Sequence, residues 1–127
     1  MTQEEKQLLL QDLCARLPYG VKISVQSWDE EEQEYIDKVD VLYSVNRDEY
    51  IKSTNEDYDF SIEDIKPYLF PMSSITEEQR NEYHELLYNP KHGINIDYFD
   101  WCHKNHLDCR GLIPMGLAIN ATGLNIY

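Results

Sequence analysis

Four residues near one end of the chain have the side-chain types that reactive centres use: Cys102-His103, His106 and Cys109. Their order is C-H-x-x-H-x-x-C. Two thiolates and two imidazoles would satisfy tetrahedral zinc. On a helix, Cys102 and His106 share a face at i, i+4 while His103 points elsewhere, so the segment would have to unwind to gather all four. The spacing is that of no common zinc finger. The simpler expectation is that no metal and no cofactor is bound. Cys102 and Cys109 then fill core space, and the histidines sit near a helix C-terminus, where positive charge is favoured.

Cys102 or Cys109 can also be paired on paper with His84 or His92 as a nucleophile and base. Three cysteines and four histidines allow many such pairings. No nucleophile elbow, phosphate-binding glycine loop or HExxH is present. Carboxylates are so frequent that no pair stands out as a glycosidase-like acid and base. An enzyme, a small hydrolase or a metal-dependent one using these Cys and His residues, is therefore the second class of function.

The leading class comes from charge. The 127 residues carry 24 acidic against 11 basic side chains, a net charge of −13. That argues against direct contact with nucleic acid or an anionic membrane. Residues 29–64 hold 14 Asp or Glu against Lys38, Arg47 and Lys52, a net of −11. Glu30, Glu32 and Glu34 alternate, as do Asp57 and Asp59. In an extended strand such pairs repeat on one face about every 6–7 Å. With Glu31, and with Tyr35, Tyr50 and Tyr58 as adhesive area, they would form a partner-binding surface for a protein with a basic face. The sharper form is a nucleic-acid mimic that blocks a DNA-handling protein. The competing expectation is a solvated face that only confers solubility. A third class is a structural role in an assembly.

The elements that must position these residues follow from periodicity. Thr2-Gln-Glu-Glu5 is a capping box for a helix to about Leu17. Leu9, Leu10, Leu13, Cys14 and Leu17 form its apolar face, with Asp12 and Arg16 on the other face. Pro18-Tyr19-Gly20 ends it. Val21, Ile23 and Val25 alternate as a half-buried strand closed by Trp28. A strand over about 35–45 follows, with Val39, Val41, Tyr43 and Val45 on one face. A short strand surrounds Tyr50 and Ile51, and Phe60, Ile62 and Ile65 approach the sheet again. The alternative for residues 61–64 is one helical turn capped by Ser61. Pro67 and Pro71 forbid regular helix between them, leaving Tyr68, Leu69, Phe70 and Met72 in a rigid connector plugged into the core.

Thr76-Glu-Glu-Gln79 caps a helix to about Tyr88 with Tyr83, Leu86 and Leu87 buried, ended by residues 89–93. A third helix spans about 96–105, with Trp101 as a core anchor. Asp108 or Asp100 is the expected partner of Arg110. Leu117 and Ile119 suit a last strand, and 121–127 a loose tail.

The expected fold is one α+β domain over 1–127, sheet-rich in 18–65, with a connector at 66–75 and helices in 76–115. An N-terminal helix covers a twisted antiparallel sheet of about four strands, or a small open barrel, and two helices follow. An odd count of three cysteines and an acidic N-terminus suit a reduced, cytoplasmic protein.

Three blocks carry a resemblance. Met1 to Leu10 with Leu13 to Val21, Ile65 to Gln79, and Asp100-Trp101 with Asn105-His106, Asp108, Arg110 to Ile113 and Gly116 to Ala118 resemble small proteins of gut Bacteroidetes and their phages or mobile elements. The resemblance implies a genomic setting in a phage or integrated element. It brings no catalytic residues. Cys102 and Cys109 stand where that family would place an aliphatic and an aromatic residue.

Overall fold

A computed structural model describes residues 1–88 and 98–127. The segment 89–93 with His92, and the side chains of Leu86 and Leu87, lie outside the described residues.

Helix α1 (Gln3–Arg16) begins at its capping box, where the Thr2 hydroxyl accepts from Glu5 N at 3.1 Å. Leu9 and Leu13 point inward, but Cys14 is exposed. Strand β1 (Lys22–Asp29) and strand β2 (Glu34–Val45) form a long antiparallel hairpin, with Trp28 opposite Tyr35 and Ser24 opposite Val39. Val21, Ile23 and Val25 are buried as the alternation requires.

In β2 the buried face is the reverse of the expected one as far as the bulge after Leu42, beyond which Val45 packs against the core as expected. Asp40 and Leu42 turn inward, and Val39 and Tyr43 are 47% and 66% exposed. The side-chain period of two makes the choice of face binary. Here one leucine and one well-bonded carboxylate win over β-branched and aromatic residues. Asp40 accepts from Val41 N, Asn55 N and the Asn55 amide at 2.8–2.9 Å. Burial pushes its carboxyl up, but these bonds outweigh it and hold the group below its usual range.

Strand β3 (Tyr50–Ser53) pairs with β2 across a bulge, and β4 (Phe60–Ser61) pairs with β3. A 3-10 turn at Ile62–Asp64 follows, capped by Ser61. The proline-rich connector is itself a strand, β5 (Lys66–Leu69), antiparallel to β1. Strand β6 (Ile119–Asn120) adds in parallel beyond it. The sheet is thus six-stranded, mixed and open, in the order β4-β3-β2-β1-β5-β6. Proline in β5 lacks one ladder donor, yet the strand still serves as a hub. Phe70 continues it, accepting from Asp108 N and donating to His106 O, both at 2.8 Å.

Helix α2 (Glu77–Tyr88) starts at a reciprocal capping box, with Gln79 N on the Thr76 hydroxyl and Thr76 N on the Gln79 amide oxygen. Helix α3 (Tyr98–Lys104) buries Trp101, Cys102 and His103. One apolar core lies between α1 and the inner sheet face, closed by Leu112 and Leu117. A second gathers Phe70, Met72, Ile75 and Tyr83 around Trp101, Cys102 and Leu107.

The expected loose tail is instead fastened. Ala121 is 2% exposed and donates to Leu69 O. The Tyr127 hydroxyl donates to Tyr68 O at 2.7 Å and accepts from Lys22 N at 2.8 Å, and Lys22 Nζ donates to Ile126 O. Burial carries the Tyr127 phenol up to about 12. Among the described residues, no helix is long and apolar enough to cross a membrane.

Candidate functional site

The four Cys and His residues of the C-terminal half do not converge on one point. Among the described residues, no group of three or more Cys, His, Asp or Glu is placed to hold a metal ion. His106 turns away in a left-handed conformation (φ 56°), and its ring stacks on Tyr127 at 3.8 Å. Burial and the charges of Arg16 and Lys22 depress its pKa to about 4 from 6.5. The folded protein therefore binds fewer protons than the unfolded chain between those values, and stability falls as pH drops through that window. The wild type should lose more Tm between about pH 7 and pH 5 than His106→Gln does, as read by thermal melts. Equal losses would place the pH dependence on other groups.

What occupies the middle of this region is a buried charge cluster. Asp12 and Arg16, the pair expected at the surface of α1, are both 0% exposed. Arg16 Nε donates to Asp12 Oδ2 at 2.7 Å, and its Nη2 donates to Leu107 O at 2.6 Å. Arg110 pairs with neither Asp108 nor Asp100. It donates to Asp12 Oδ1 at 2.8 Å. Asp108 instead accepts from Leu112 N and Ile113 N at 2.7 and 2.9 Å.

Arg110 Nη1 also lies 2.7 Å from His103 Nε2. A guanidinium only donates, so Nε2 accepts and the proton of a neutral His103 sits on Nδ1. Burial, then Arg16 and Arg110, lowers the His103 pKa, in keeping with that neutral form. The Cys109 sulfur faces both arginines, at 3.9 Å from Arg16 and 3.8 Å from Arg110. The i, i+4 Asp–Arg pair and the expectation of a carboxylate partner for Arg110 were separate sequence signals, and nothing in the sequence joined them. The burial of the cluster depends on Arg110 arriving from 98 positions away.

The acidic region gives a different picture. Glu30, Glu31 and Glu32 are exposed, but they occupy the turn between β1 and β2 rather than a strand. The Asp29 carboxylate organises that turn, accepting from Glu31 N at 2.9 Å. Asp57 and Asp59 lie in the loop between β3 and β4. The evenly pitched row of carboxylates expected from strand alternation is therefore absent there. Only Glu34 begins a strand.

The tyrosines do meet solvent. Tyr35 is 64% exposed and Tyr50, Trp28 and Tyr58 are 43–48% exposed. Trp28 and Tyr35 pack edge to face across the hairpin at 5.1 Å. The Tyr58 hydroxyl donates to Gln26 O at 2.8 Å, which fixes the 54–59 loop against the edge of β1. Between them opens a groove of about 270 Å³ lined by Gln26, Tyr35, Tyr58, Asp59 and Asp64. A second, of about 330 Å³, shares Gln26 and Asp64 and adds Asp37, Glu63 and Lys66. Asp37, Glu63 and Asp64 were not singled out by the sequence. They reach the site only because the chain folds back along β1.

No family model, no curated protein and no solved structure matches this chain.

Proposed function

We propose that the protein is a non-enzymatic binding module that holds a basic protein partner against the outer face of its sheet. The observation that carries this reading is the pair of adjoining grooves. Their walls include the carboxylates Asp37, Asp59 and Asp64, the Glu63 carboxylate paired with Lys6 at 2.9 Å, one cation, Lys66, and the rings of Tyr35 and Tyr58. A lysine or arginine entering there would meet both charge and an aromatic face. Trp28 and Tyr50 extend the contact area, and the acidic turn at 30–32 steers the approach. The nucleic-acid-mimic form of the idea loses its premise with the missing carboxylate row. The resemblance to small phage and mobile-element proteins suits a module that acts on another protein.

The test is titration of the ¹⁵N-labelled protein with a short Lys/Arg-rich peptide at low and high salt. Shifts should concentrate at Gln26, Tyr35, Asp37, Tyr58 and Asp64 and vanish at high salt. Shifts scattered over all acidic surfaces, or absent from these residues, would reject the site.

A further inference from the structure

We propose that Cys109 and Cys102 form a hydroperoxide-reactive dithiol, with Cys109 the attacking thiolate and Cys102 the resolving thiol. The first ground is charge. Two guanidiniums, Arg16 and Arg110, flank one buried carboxylate, Asp12. Asp108 is committed to two backbone N–H groups, and His103 is neutral. The Cys109 sulfur lies against both arginines, so its thiolate is the anion that balances the second cation. Fully buried Arg16 also has Nη1 without a partner among the described residues.

The second ground is the neighbouring thiol. Cys102, 0% exposed, sits in the small buried cluster against which Cys109 packs, and the chain folds back between them, with Leu107 N on Cys102 O at 2.9 Å and Cys109 N on Leu107 O at 3.0 Å. Cys109 is only partly covered, so a small oxidant can reach it. The Cys102 hydrogen bond lowers the Cys109 pKa; burial opposes it, Arg16 and Arg110 assist, and the thiol settles at about 7. The same bond and burial push Cys102 upward, which keeps it protonated as the second reactant.

The chemistry balances with a hydroperoxide as oxidant. The Cys109 thiolate attacks the terminal peroxide oxygen; the S–O bond forms, the O–O bond breaks, and the departing oxygen takes a proton. Cys109 becomes a sulfenic acid, oxidised by two electrons, and the peroxide is reduced to water or an alcohol. Cys102 sulfur then attacks Cys109 sulfur. The S–S bond forms, the S–O bond breaks, and hydroxide leaves with the Cys102 proton as water.

The test is brief exposure of the native full chain to equimolar hydrogen peroxide near pH 7, followed by alkylation and peptide mapping. The expected product is a Cys102–Cys109 disulfide, with Cys14, on the exposed side of α1, still alkylated. Cys109 should be consumed roughly tenfold faster than Cys14. In Cys102→Ser, a sulfenic-acid trap should label Cys109; should that variant fail to fold, the wild-type mapping decides alone. Arg110→Gln should move the pH midpoint of Cys109 alkylation upward, a readout that a packing role would not move. Oxidation of Cys14 first, or loss of Cys109 without a disulfide to Cys102, overturns the proposal.

Discussion

Asp12→Asn is expected to destabilise the fold by roughly 3–5 kcal/mol, the cost of removing one partner from a buried ion pair. Asparagine keeps the shape, so the loss would be one of charge. Arg16 is fully buried and the Arg110 side chain is 12% exposed, and each bonds to one of the two Asp12 oxygens. Without the carboxylate, two guanidiniums are left beside each other in a largely buried site. A domain of this size has about 5–15 kcal/mol in hand, so the variant should sit near its unfolding threshold. Urea unfolding measures it. Replacing Asp12, Arg16 and Arg110 together by Leu, Met and Met should recover most of the loss, because apolar residues of similar volume need no counter-charge. A cost under about 1 kcal/mol for Asp12→Asn would mean that water reaches the cluster.

Trp101→Ala is expected to cost about 3–5 kcal/mol, and to act unevenly. Trp101 is 2% exposed and centres the smaller core, with Tyr83 of α2 packed on its ring at 5.0 Å. Leu9, Leu13, Ile23 and Leu69 belong to the other core. Amide exchange in the variant should show protection lost through α2 while β1 and β2 keep theirs. Uniform loss across both regions would show that the two cores melt as one unit.

Legibility differed by element for physical reasons. Capping boxes and the alternation of Val21, Ile23 and Val25 are local signals, and α1, α2 and β1 were readable from them. Residues 66–69 read as a connector because proline depresses strand propensity. Strand status there depends on pairing with β1 and β6, which lie far away in sequence. In β2 both faces carry large residues, so only the packing of Leu42 and the bonds to Asp40 decide which is inside. The exposed aromatics of the candidate site were legible as types, but the grooves were not, since Asp37 comes from β2 and Glu63 and Asp64 from the turn after β4. Asp12 and Arg16 looked like surface charges because a helical pattern assigns polar residues outward by default. Their counterpart at 110 carries no periodic signature.

The span of that cluster bears on how the molecule holds its shape over time. Arg16 reaches Leu107 across 91 positions and Asp12 reaches Arg110 across 98. Closing loops of that length spends chain entropy before any contact rewards it, whereas the β1–β2 hairpin closes through a turn of four residues. The hairpin is therefore suited to an early role in folding and the ion cluster to a late one. A late contact does little to hasten arrival at the native state and much to slow escape from it. The buried arginines work as a latch, setting the lifetime of the folded molecule more than the speed with which it forms.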